Sequence, residues 1–224
     1  MGLWVYGFIS SKPINLYTYK PQKSVSLIPR MHYNSKVKHI AIFASGTGSN
    51  ARKIIDYFEG HPQIRVAVVV SNRPDALVLD MAGSKGIQTL VINRDYFYNS
   101  EQLLTDFGQY PIDLVVLAGF LWLVPPYLVK AYRGKIVNIH PALLPKYGGK
   151  GMYGSRVHEA VKAAGDTASG ITIHHVNEHY DEGDIILQVS CAIGSEDTPA
   201  TIAGKVQQLE HQYFAPVIES LLIG

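Results

Sequence analysis

Asn138 and His140 stand two residues apart in the run IVNIHPALLPKYGG, at the end of a short apolar stretch and directly before Pro141. On an extended chain alternate side chains share a face, so Asn138 and His140 point one way and Ile139 the other. Pro141 and Pro145 stop any continuing ladder or helix and stiffen the exit. An amide donor next to an imidazole suits chemistry on a carbonyl. The amide can donate to a developing oxyanion, and the imidazole can move a proton or stabilise charge. The same residues equally suit a turn, where Asn and Pro are ordinary, and spacing alone does not choose.

Three further stretches carry chemistry. Asp181 lies in the loop EHYDEGD, where a carboxylate can orient an imidazole and raise its pKa; Glu178, Glu182 and Asp184 beside it fit a solvated acidic loop just as well. Ser45-Gly46-Thr47-Gly48-Ser49-Asn50 follows an apolar strand and precedes a helix, so its glycines let the backbone approach an anion at a helix N-terminus. A dinucleotide site there would need an acidic residue at the end of the next strand, and Val70-Ser71-Asn72-Arg73 has none. A single phosphate is the preferred ligand, with a plain tight turn as the alternative. In Leu117 to Pro126, the side chains of Phe120, Leu121, Trp122 and Leu123 can wall a flat aromatic ligand, or simply pack on the core. His174, His175 and His179 invite a metal reading, but adjacent strand residues face opposite ways, and no metal is expected.

These stretches need elements to position them. Short apolar strands are expected at 39–44, 64–70, 88–92, 114–118 and 135–139, alternating with helices at 51–59, 75–85, 100–109 and 125–132. That pattern specifies an α/β fold, an open, mostly parallel, doubly wound (Rossmann-like) sheet with helices on both faces. Strands at 170–176 and 184–189 follow, joined by a hairpin-like loop, after a helix at 156–164. A long last helix starts at Thr198-Pro199, with Ile202, Val206, Leu209, Tyr213, Val217 and Leu221 on its core stripe.

The chain of 224 residues, 47% hydrophobic and 17% charged, suits one sizeable globular domain. Its net charge of +2 is too small to imply nucleic acid. No acidic residue precedes Asp56, while Lys12, Lys20, Lys23, Arg30, Lys36 and Lys38 do; removing those six charges leaves the remainder at about −4. Cys191 is the single cysteine, which excludes an intrachain disulfide and fits a reducing, cytoplasmic compartment. The apolar run from Leu114 to Val124 is well short of the ~20 residues of a membrane helix, so no membrane association is expected. Residues 1–36, broken by Pro13, Pro21 and Pro29, read as an irregular extension outside a core domain at 37–224. Their acid-free composition loosely resembles a transit segment, but their few arginines favour Met31 as the true start.

Taken together, SGTGSN, VVVSNR, VVLAGF, NIHPALLPKY, EHYDEGD and the QQLEH of the last helix resemble, in order, the phosphoribosylglycinamide formyltransferase family in its short single-domain bacterial form. The resemblance covers the chain from about Lys38 onward and implies the formyltransferase fold. It implies a catalytic set of Asn138, His140 and Asp181. Gly48, Ser49 and Asn50 would hold the substrate phosphate, with Gln207 and Glu210 contacting phosphate and ribose. The folate ring would lie against Leu121, Trp122, Leu123 and Val124, near Asn138, and against the loop residues Glu178, His179, Tyr180 and Asp181. The implied reaction moves a formyl group from 10-formyltetrahydrofolate, a co-substrate, to the amine of glycinamide ribonucleotide in purine synthesis, in a monomer or weak homodimer. A methionyl-tRNA formyltransferase would be expected to add a C-terminal domain and a basic face. A formyltetrahydrofolate hydrolase would be expected to add a regulatory domain before the core. A phosphosugar-binding module would have no use for Asn138, His140 and Asp181 together.

Overall fold

A computed structural model describes residues 5–6 and 37–224 of the chain. The elements run β1 (Val5–Tyr6), β2 (Lys38–Phe43), α1 (Ser49–Phe58), β3 (Ile64–Ser71), α2 (Leu77–Ser84), β4 (Gln88–Val91), α3 (Arg94–Tyr98) and α4 (Gln102–Phe107). They continue as β5 (Ile112–Leu117), α5 (Pro126–Ala131), β6 (Ile136–His140), α6 (Ser155–Ala163), β7 (Ala168–His175), β8 (Ile185–Ala192) and α7 (Pro199–Ile223). The strands form one sheet in the order β1-β8-β7-β6-β5-β2-β3-β4. Strands β2 to β6 are parallel, and β7, β8 and β1 complete the sheet with antiparallel pairs. From the N-terminal extension, the two residues of β1 pair with Val189 and Gln188 of β8; its other residues up to 36 lie outside the described ones.

The strands are apolar on both faces because both faces are covered. Ile40 and Ile42 of β2 join one core cluster with Ile54 of α1, Val78 of α2 and Ile202 of α7, whereas Ala41 and Phe43 join the other with Phe97 of α3, Leu103 of α4 and Leu128 of α5. The period of two holds on β6, where Val137 and Ile139 enter the first cluster and Ile136 the second. Asn138 and His140 therefore share the side of Ile136.

The stretch from 93 to 102 departs from the sequence expectation. Residues 94–98, between the expected strand at 88–92 and helix at 100–109, form α3, because the Asn93 side chain accepts from Tyr96 N–H at 2.8 Å and Phe97 is fully buried. The next helix starts at Gln102 and not at Ser100, whose hydroxyl donates to the Tyr96 carbonyl at 2.8 Å and ends the preceding turn.

Helix α7 is the one long helix that carries predicted site residues, and its start is doubly capped. Thr198 accepts from Thr201 N–H, and the Thr201 hydroxyl accepts in turn from Thr198 N–H. Replacing Thr198 with Ala is expected to lower the unfolding free energy by about 1 kcal/mol. For a domain of this size that is a drop of roughly 2–4 °C in Tm, readable by thermal unfolding monitored by circular dichroism; an unchanged Tm would show that Asp197 and Pro199 alone define the helix start.

Candidate active site

The antiparallel pairing of β6 with β7 sets His174 directly opposite Asn138. Directly opposed residues on one face are close enough for their side chains to interact. His174 Nδ1 lies 2.8 Å from the His175 carbonyl oxygen, which can only accept, so that nitrogen carries the proton. The bare Nε2 then accepts from Asn138 Nδ2 at 3.1 Å, which fixes the amide with its NH2 toward the interior. The other Asn138 N–H reaches Asp181 Oδ1 at a long 3.4 Å.

His140 is 4% exposed and held from both nitrogens. Nε2–H donates to the Tyr147 carbonyl at 2.7 Å, and Nδ1 faces Asp181 Oδ2 at 3.5 Å. Asp181 Oδ2 also accepts from Gly149 N–H at 2.9 Å. Tyr147 (φ 59) and Asp181 (φ 57) both adopt left-handed backbone, which residues other than glycine occupy sparingly. Each holds that conformation while delivering an atom to His140. Gly183, two residues beyond Asp181, packs so tightly on the His175 carbonyl that an added Cβ would sit 1.7 Å from its oxygen. The D-x-G spacing thus brings the loop hard against the carbonyl that orients His174.

Burial pushes the His140 pKa below its ordinary value of 6.5, and this outweighs the raising effect of Asp181 and of the Tyr147 carbonyl. The expectation that Asp181 raises the imidazole pKa is correct for that pair and wrong for the net result, so His140 is neutral at pH 7. Burial acts to raise the Asp181 carboxyl, but His174, His140 and Gly149 N–H together hold it below the ordinary carboxylate range. His158 on α6 is 7% exposed with an unpartnered Nδ1, and burial, then the His140 charge, push its pKa down as well.

These groups open onto a cavity of about 700 Å³. Among the predicted residues, Asn50, Leu121, Trp122, Leu123, Val124, Asn138, His140, His179, Tyr180, Asp181, Gln207 and Glu210 line it. Glu178 is exposed and lies off its wall, as does Gly48, while Ser49 stands behind Gln207, whose amide reaches the serine hydroxyl at 3.4 Å. Gly48 is the N-cap of α1 (φ 73), and the helix start has neither a side-chain cap nor an acidic residue in its first turn. Its N–H groups are thus free for an anion. Asn50 donates to Glu210 at 3.0 Å, leaving its own buried Oδ1 without a partner. Burial pushes the Glu210 carboxyl up, and Asn50 draws it partly back.

The opposite wall is aromatic. Trp122 packs on Phe97, Tyr98 and Phe120, with the Arg94 guanidinium 5.0 Å above its ring. Ser45 ties the two ends together, since its hydroxyl accepts from Leu121 N–H at 3.0 Å and its N–H donates to the Gly119 carbonyl at 3.1 Å. Sequence reasoning missed His174 as the partner of Asn138, and His158; the loop at 149–155 also lines the cavity. Strand alternation gave the face of His174 but not the register that sets it opposite Asn138. Among the described residues no group of three or more His, Cys, Asp or Glu side chains is arranged to hold a metal ion, and no helix is long and apolar enough to cross a membrane.

Comparison with known proteins places the chain in a family. Residues 38–218 match the formyl transferase family. The chain is 40% identical over 190 residues to the chloroplastic phosphoribosylglycinamide formyltransferase of Arabidopsis thaliana, a match covering 82% of this chain and 65% of that protein. It is 36% identical to the phosphoribosylglycinamide formyltransferase of Haemophilus influenzae, covering 82% of this chain and 86% of the relative. The crystal structure of the Bacillus halodurans phosphoribosylglycinamide formyltransferase superposes with a TM-score of 0.74 at 36% identity, covering 83% of this chain and 96% of that one. With its parallel core sheet, its Asn138–His140–Asp181 cluster and these matches over most of its length, the chain belongs to the formyl transferase family, alongside the phosphoribosylglycinamide formyltransferases.

Proposed function

We propose that the protein transfers the formyl group of 10-formyltetrahydrofolate to the amine of glycinamide ribonucleotide, releasing tetrahydrofolate and the formylated ribonucleotide. The observation that carries this reading is the convergence on one cavity of three things. They are an amide donor and an imidazole on β6 joined by a carboxylate from the loop after β7, an uncapped helix N-terminus at one end, and an aromatic wall at the other. The phosphate would take the free N–H groups at Ser49 and Asn50, with Gln207 beside it and Glu210 toward the ribose. The folate ring would stack along Leu121 to Val124, near the Tyr180 loop. A free, half-buried thiol at Cys191 supports a reducing, cytoplasmic setting for it.

In the reaction the uncharged amine attacks the formyl carbon, and its C=O electron pair moves onto oxygen. The 3.4 Å Asn138–Asp181 contact is the longest hydrogen bond of the network, so a formyl oxygen replaces Asp181 as the acceptor of that N–H, while His174 keeps the amide oriented. His140 starts neutral with a bare Nδ1 facing Asp181. The attacking nitrogen becomes acidic as it bonds to carbon, and Nδ1, backed by the Asp181 carboxylate, takes up its proton. Collapse of the tetrahedral carbon re-forms C=O, breaks the C–N bond to the folate and returns that proton to the departing nitrogen.

The discriminating experiment is turnover with 10-formyl-dideazafolate, with and without glycinamide ribonucleotide. Deformylation only with the ribonucleotide is expected; deformylation without it would assign a hydrolase instead. Asn138→Ala and Asp181→Asn should each lower kcat by more than about 100-fold, the scale of losing one oxyanion donor, and near-normal turnover in either would remove that residue from the mechanism. The pH dependence has a definite sign. Because His140 must be neutral and its pKa is lowered, kcat/KM should stay level through neutrality and fall only below pH 6.5. Asp181 raises that pKa, so in Asp181→Asn the acid limb of the residual activity should move to still lower pH; a shift upward would contradict the neutral-imidazole mechanism.

A further inference from the structure

The cavity holds an imbalance of charge. Its wall carries two carboxylates, Asp181 and Glu210, and both substrates of the proposed reaction are anions: a phosphate monoester on one, glutamate carboxylates on the other. Among the described residues of the wall there is one lysine, Lys150, and no arginine. Lys150 is exposed, and no carboxylate among the described residues forms an ion pair with it.

The backbone around Lys150 is built for presentation. Gly149 (φ 93) and Gly151 (φ 92) flank it in conformations that L side chains rarely adopt. A Cβ at either glycine would meet nothing within 4 Å, so it is the backbone conformation and not close packing that calls for glycine. Gly149 N–H is bonded to Asp181 Oδ2 at 2.9 Å, which anchors the lysine's stem one residue from the carboxylate that faces His140. Its flexible four-carbon side chain thus starts on the wall of the cavity that the reacting groups share.

We infer that Lys150 is a substrate-binding residue that pairs with an oxyanion of a substrate held in this cavity. The inference rests on the proposed reaction for the identity of the anions. A flexible ammonium supplies a point charge, which suits a phosphate or a carboxylate equally; the two differ in which ligand loses affinity when the charge goes.

The test is equilibrium binding by calorimetric titration of the full chain, as wild type, Lys150→Met and Lys150→Arg. Each is titrated separately with glycinamide ribonucleotide, with 10-formyl-dideazafolate and with its analogue lacking the glutamate. Lys150→Met is expected to bind one of the two anionic ligands about 10–100-fold more weakly, the scale of one charge-assisted hydrogen bond. Lys150→Arg should restore that ligand to within about 3-fold, since it restores the charge. Weakened ribonucleotide binding assigns the phosphate. Weakened folate binding that disappears with the glutamate-free analogue assigns the tail. Unchanged affinity for both ligands in Lys150→Met, with the wild type binding them, overturns the role of Lys150 and leaves the proposed reaction standing. Failure of the wild type to bind either ligand overturns both.

Discussion

Asp181 keeps only 11% of its side chain in contact with solvent, and a carboxylate taken out of water is unfavourable unless donors and opposite charge surround it. Two N–H donors reach it, Asn138 from β6 and Gly149 from the loop after the two prolines, while the rings of His140 and His174 pack beside it from β6 and β7. The carboxylate's requirement for partners therefore also fixes the relative positions of the strand end, the returning antiparallel strand and the loop. A left-handed backbone at an aspartate is tolerable under those conditions, because the surroundings over-determine it.

The same arrangement explains why His140 is neutral in a site that contains an anion. Burial of the ring penalises the imidazolium, and one carboxylate at 3.5 Å does not repay it. Neutrality is useful for a proton carrier in a transfer reaction. An imidazole already protonated would have no vacancy for the proton of the attacking amine, whereas one kept neutral by burial accepts it when negative charge develops nearby and returns it afterward. Tyr147, by accepting from Nε2, leaves the vacancy at Nδ1, on the side of Asp181. His158, also buried and also held below its ordinary pKa, adds no competing cation at rest.

Much of this was legible in the sequence, for reasons that differ by element. Alternation on β6 placed Asn138 and His140 on one face because a strand has a fixed period, whatever it pairs with. The apolar runs of β2, β3 and β5 announced a sheet covered on both sides for the same reason. What was not legible was pairing. Opposition of His174 to Asn138 depends on the register of β7 against β6, which is set by non-local contacts and leaves no local mark. The net pKa of His140 was misjudged because the attractive pair, His and Asp, is visible as residue types while burial is a property of the packed fold. Helix α3 escaped because five residues are too few to show a period, although Asn93 at the cap position was a readable cue.

The loop at 147–151 draws these strands of argument together. In sequence it is only YGGKG, a stretch that reads as a connector. In the fold its Tyr147 carbonyl settles the tautomer of His140, and its Gly149 N–H settles the carboxylate of Asp181. Gly148 between them is packed so closely that an added Cβ would lie 2.6 Å from Leu144 and 3.3 Å from Asp181. Backbone atoms perform both tasks, so side-chain identity at these positions is free of them except for the need to fit, and no motif of reactive residue types can advertise the role. That leaves one side chain in the segment free to face the cavity, and it is a lysine. A loop whose backbone is committed to two catalytic candidates, and whose one projecting charge faces their cavity, links the position of a bound anion to the geometry of the reacting groups through a single short stretch of chain.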